Sequence, residues 1–147
     1  MKPWQVCSLE FAQKLKSLGV AQDASEFYWW VSASGRNCLE DRKADCSPLM
    51  TYSTDCQSGG RHNSAMQFCF AALTTAELGV ALPQGYFSCR FDARNKSVFQ
   101  MTKIWEKDFP ACDSNTESNA RAKLLCYVLE NKIISVDEVN KRLREVV

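Results

Sequence analysis

The chain has almost no net charge: 18 Lys and Arg stand against 17 Asp and Glu in 147 residues, a formal +1 at pH 7. No long-range field draws such a chain to nucleic acid or to an acidic lipid surface, so neither is an expected partner. It also has no apolar run approaching the roughly 20 residues that span a bilayer, and Met1 to Val6 lacks the apolar centre of a secretory signal. The expectation is a soluble, cytoplasmic protein with no membrane partner. Histidine occurs once, at His62, so any Cys–His nucleophilic dyad has a single available base. A phosphate-binding glycine loop, a Gly-x-Ser-x-Gly elbow and a His-Glu-x-x-His helix are all absent. Asp41, Asp45 and Asp55 read as solvated loop residues and not as a catalytic pair. No internal repeat or low-complexity tract is present.

What is there begins with length. A chain of 147 residues suits one domain, 1–147, able to bury roughly two-thirds of its unfolded surface. Eight cysteines are many, and an even count in a secreted chain suggests disulfides. Cys126 falls inside a helical pattern, Cys7 precedes one, and Cys69 and Cys89 lie in apolar stretches, where a thiol acts as a small hydrophobe. Free thiols in a reducing cytosol are expected.

Two helices with end signals dominate the C-terminal third. Ser114 and Glu117 have capping-box spacing, and Ala120, Leu124, Val128 with Ala122, Leu125, Leu129 recur at three- and four-residue steps, predicting one broad buried face. Ser135 and Glu138 repeat the box, Ile134 and Val139 occupy the staple positions, and Val136, Leu143 and Val146 continue the pattern. A short helix with Phe11, Leu15 and Leu18 inward follows Cys7-Ser8 and ends at Gly19. Thr74 and Glu77 form a third box, stapled by Leu73 and Leu78, and Pro83 limits that helix to two turns.

Strands are expected at Phe27–Val31, Ala65–Phe70, Tyr86–Phe91 and Val98–Trp105, the last two joined as a hairpin through Asp92 to Lys96. The first is apolar on both faces and must be central or meet a partner. Between Ser32 and Ser64 the composition turns to Ser, Gly, Asn, Asp and Arg with three cysteines, which reads as an irregular Cys-containing insertion with one short strand at Leu49 to Ser53. The fold class is α+β: a small antiparallel sheet packed on N- and C-terminal helices.

Several of these segments carry a resemblance. Thr75-Ala76-Glu77-Leu78-Gly79, Leu82-Pro83, Gly85-Tyr86-Phe87-Ser88, Ala120-Arg121-Ala122-Lys123-Leu124-Leu125 and Leu129-Glu130-Asn131-Lys132 are similar to a family of small uncharacterised proteins encoded by bacteriophages and prophages. Val6-Cys7-Ser8-Leu9-Glu10, Leu15, Leu18-Gly19 and Phe27-Tyr28-Trp29 match its N-terminal pattern, and Ser32 to Ser64 stands outside it. The resemblance implies provenance and single-domain architecture. It brings no catalytic residues.

The functional expectation is a non-enzymatic, protein-binding accessory factor of phage or prophage origin, acting on a host protein, an inhibitor of a defence protein being its specific form. No cofactor is implied. The anchors expected for the partner are Arg36, Arg42, Met50, Tyr52 and Arg61 in the insertion, with Trp30 on the strand beside it. An aromatic surface from Phe27 to Val31 with Tyr86, Phe87 and Phe91 lacks the basic groove that base stacking needs. The alternative is a small Cys/His-dependent enzyme, pairing His62 with Cys56 or Cys69, or a zinc-stabilised module using Cys38, Cys46, Cys56 and His62. Their spacings contain no tight Cys-x2–4-Cys pair, which argues against zinc.

Overall fold

In a computed structural model, which describes residues 3–32, 37–41, 66–93, 96–103 and 112–145, the chain builds around one C-terminal helix. That helix, α3, spans Glu117–Glu130, and Ser118, Ala120, Ala122, Leu124, Leu125, Cys126 and Val128 are all buried on it. Burial of consecutive positions 124 to 126 shows an element covered on more than one side, as alternating small and large apolar residues allow. Thr116 is its N-cap, taking the Asn119 N–H at 3.3 Å. The cap expected at Ser114 is corrected, because Ser114 ends a strand, Cys112–Ser114, whose backbone pairs with Phe99 to Met101.

Three more helices are described. α1, Leu9–Ser17, buries Ala12 and Leu15, and Gly19, at φ +90, turns the chain out of it. Ser8 holds the N-cap position of α1 without a side-chain cap bond. α2, Thr75–Ala81, has the complete capping box, with Glu77 N–H donating to Thr74 and Thr74 N–H donating to the Glu77 carboxylate at 2.6 Å. In α4, Val136–Arg144, Ser135 accepts from the Glu138 N–H, but the Glu138 carboxylate turns to Arg142 instead of closing the box.

The α+β class and the antiparallel pairing hold, with helices near both ends, and among the described residues the strands form two three-stranded sheets. β1 (Phe27–Ser32) lies between β2 (Asn37–Asp41) and β3 (Met66–Ala71). β5 (Lys96–Lys103) lies between β4 (Tyr86–Ala93) and β6, the Cys112–Ser114 strand. β2 falls in the stretch read as irregular, and the strand expected at Leu49 to Ser53 lies outside the described residues. As its composition requires, β1 is the central strand. Trp29 and Val31 face the main core, while Tyr28 on the opposite face is 1% exposed with Cys69 and Ala71.

α1 meets β3, α3 meets β5 and β6, and the two helices pack on each other, so the main core runs between the sheets. Lys16 fixes the first junction, donating to the Cys69 carbonyl at 3.0 Å with its ammonium 4.8 Å from the centre of the Phe70 ring. Asn140 of α4 fixes another, accepting from Ala21 N–H at 2.7 Å and donating to the Gly19 carbonyl at 3.1 Å.

Leu125→Ala should cost about 2–5 kcal/mol through the cavity it leaves, whereas Lys123→Ala, on an exposed side chain, should change stability by under about 0.5 kcal/mol. Urea midpoints of the two variants check this, and equal shifts would contradict the buried face of α3.

Candidate functional site

The first turn of α3 holds down the N-terminal segment. Ser118, a fully buried hydroxyl, lies 2.8 Å from the Val6 carbonyl and 3.0 Å from that of Trp4. One hydroxyl proton serves both carbonyls, shared or alternating. Thr116 Oγ1 accepts from Asn119 N–H and lies 3.3 Å from Ser118 Oγ, a contact in which either hydroxyl can donate. Asn119 accepts from the Ser8 N–H at 2.7 Å. Val6 bridges to Thr74, and Cys7 N–H donates to the Leu73 carbonyl at 2.9 Å. The 3-10 turn Pro3–Gln5 is thereby fixed by bonds to residues more than 100 positions away, and it carries Trp4 with 58% of its surface exposed.

Beside Trp4 opens a cleft of about 300 Å³, lined by Trp4, Thr75, Arg90, Phe99, Asn115 and Thr116 together with Glu117. Sheet register explains its wall. Ser88, Met101 and Cys112 stand in one row across β4, β5 and β6, and Arg90, Phe99 and Ser114 in the next row on the same face. That face packs against the core at Tyr86 and is exposed at Arg90. Glu117 closes the base of the network: its Oε1 accepts from Ser88 Oγ at 2.7 Å and from Arg121 Nε and Nη2 at 3.1 and 2.6 Å. Arg121 also donates to the Thr75 carbonyl at 3.2 Å. Burial alone would raise the Glu117 pKa, but the Ser88 and Arg121 bonds and the guanidinium charge outweigh it and hold the carboxyl below its usual range.

The structure places the residues singled out from sequence as follows. Arg36, Arg42, Met50, Tyr52 and Arg61 lie outside the described residues, as do Cys46, Cys56 and His62. Trp30 and Cys38 are directly opposed on β1 and β2, where their backbone alone is described. The thiols of Cys7, Cys69, Cys112 and Cys126 are buried and form no disulfide. Desolvation pushes the Cys7 and Cys126 thiols up to about 12 and raises Cys112, so each holds its proton at neutral pH and is a poor nucleophile. Among the described residues no group of three His, Cys, Asp or Glu could hold a metal ion, and no helix is long and apolar enough to cross a membrane. Sequence reasoning missed Trp4, Phe99 and Glu117 as a group. Only the Glu117–Arg121 spacing of four residues signalled part of it.

No family model, curated protein or solved structure matches the chain. The site is therefore read from its own geometry.

Ser118→Ala should destabilise the fold by about 1–3 kcal/mol and speed amide exchange at Ser8, whose segment the hydroxyl holds; exchange unchanged from the parent protein would contradict the clamp. The Glu117 pKa is depressed in the folded state, so its contribution is present above the unfolded value near 4.5 and is lost as pH falls through the folded value. The stability gap between the parent chain and Glu117→Gln should accordingly shrink below about pH 4.5, as acid titrations of the two would record.

Proposed function

We propose that this chain is a non-enzymatic protein-binding factor that engages its partner through the cleft beside Trp4. One observation carries the reading: a large indole is held out in solvent by a buried hydroxyl that fixes its backbone, next to an open cleft walled by Phe99 and Arg90. Tryptophan and arginine are the side chains that most often dominate binding energy at protein interfaces, because each buries a large area at low conformational cost. The similarity of the TAELG and ARAKLL segments to phage and prophage proteins supports a phage-encoded accessory role. A host protein is then the partner, and inhibition of a defence protein is the form such a factor takes. The insertion residues Arg36, Arg42, Met50, Tyr52 and Arg61 remain anchors of this same proposal, as a second contact region.

The intact chain serves as bait in host lysate, and the captured protein is then purified and titrated directly. Trp4→Ala should weaken that purified complex about thirtyfold, as removal of a central anchor does, while its exposed position leaves the melting temperature unchanged. Equal affinity of Trp4→Ala and the parent chain would refute the cleft as the binding site.

A further inference from the structure

The turn from α3 into α4 sets an exposed apolar knob beside an apolar groove. Ile133 N–H donates to the Val128 carbonyl at 2.9 Å and Lys132 N–H to the Leu129 carbonyl at 3.1 Å, which closes the end of α3. Lys132 stands at φ +55, a left-handed position where lysine is strained and glycine is not. In such a reversal the next residue commonly folds back on the helix, but Ile133 keeps 49% of its surface in solvent. Next to it lies a groove of about 370 Å³ lined by Leu18, Leu129, Lys132, Ile134, Ser135 and Val136. The Ser135 hydroxyl is already turned to the Glu138 N–H, so the groove is apolar apart from the lysine. Lys132 and Asp137, both exposed, flank the knob and the start of α4, and neither has a hydrogen bond or ion pair among the described residues. The charges around them are matched within the chain, Glu130 by Lys14 and Glu138 by Arg142. One surface thus presents a knob, a groove, one unmatched cation and one unmatched anion. A patch that carries both halves of each contact is complementary to itself, as an interface between identical chains related by a two-fold axis requires. A partner charged with one sign would match one of the two ions and repel the other.

We propose that this face joins two copies of the chain about a two-fold axis, with Ile133 of each seated in the groove of the other and Lys132 of each paired with Asp137 of the other. None of the residues lining this groove lines the Trp4 cleft, so the dimer stands independently of the protein-binding reading and leaves that cleft open.

A patch of this size gives a weak dimer, with a dissociation constant on the order of 10–100 μM. Sedimentation equilibrium of the full chain, from about tenfold below that range to about tenfold above it, should record a reversible passage from monomer to dimer. Ile133→Asp should leave the chain monomeric throughout, and an unchanged circular dichroism spectrum of the dilute protein shows that it still folds. Lys132→Asp and Asp137→Lys each bring like charges together twice across the axis, so each should weaken the dimer at least about tenfold. Combined in one chain, the two exchanges restore both pairs with their signs reversed, and affinity should return to within about threefold of the parent. A parent chain that stays monomeric at every concentration would overturn the proposal. A dimer that persists in Ile133→Asp, or a double exchange that recovers no affinity, would overturn it as well. A dimer that Trp4→Ala abolishes and Ile133→Asp does not would assign self-association to the Trp4 cleft instead.

Discussion

The first turn of α3 is the constraint on which the rest depends. A helix covered on more than one side leaves its N-terminal polar groups with little access to water, and each buried group without a partner costs free energy comparable to a lost hydrogen bond. The chain meets this requirement with contacts far apart in sequence: Thr116 caps the turn, Ser118 and Asn119 hold the segment from Trp4 to Ser8, and Glu117 takes Ser88 of β4. Arg121 then ties the same carboxylate to the start of α2. Four elements share a junction because one helix end had to be satisfied.

That junction gives a physical meaning to the segments from Thr75 to Gly79 and from Ala120 to Leu125. Thr75 supplies the carbonyl that Arg121 reaches, Glu77 closes the capping box of α2, and Leu78 is fully buried. Gly79 leaves the space the guanidinium occupies, since a β-carbon there would meet Arg121 Nη1. The segment from Thr75 to Gly79 and the segment from Ala120 to Leu125 are therefore two halves of one contact.

Local features were legible in the sequence and nonlocal ones were not. The Thr74–Glu77 box, the staple at Leu73 and Leu78, the turn at Gly19 and the inward face of α3 all follow from interactions within a few residues. The division into two sheets depends on which strands pair, and β1 pairs with β3 across a long stretch of chain that no periodicity encodes. Ser114 looked like a cap because the short strand Cys112–Ser114 has no alternation long enough to announce itself. Ser118 carried a usable signal: with Ala122 and Leu125 it stands at four- and three-residue steps on the inward face, marking it as a buried polar residue in need of a partner. Which partner it found, the carbonyls of Trp4 and Val6, was beyond reach of any local pattern.

The exposure of Trp4 is the consequence that bears on function. Burying the exposed 58% of an indole would recover on the order of 3 kcal/mol of hydrophobic free energy. The backbone that carries the ring is held outward, because moving it inward would break the Ser118 bonds to the Trp4 and Val6 carbonyls and disturb the Val6–Thr74 bridge. Each such bond contributes about 1 kcal/mol net, but leaving the buried Ser118 hydroxyl without an acceptor costs up to about 3 kcal/mol more. The balance holds the indole outside. The unrecovered hydrophobic term is then available to whatever covers the ring, and its size matches the loss seen when a central interface anchor is removed. A folding constraint in α3 thus leaves unrecovered hydrophobic free energy on the surface, at a fixed place beside the cleft.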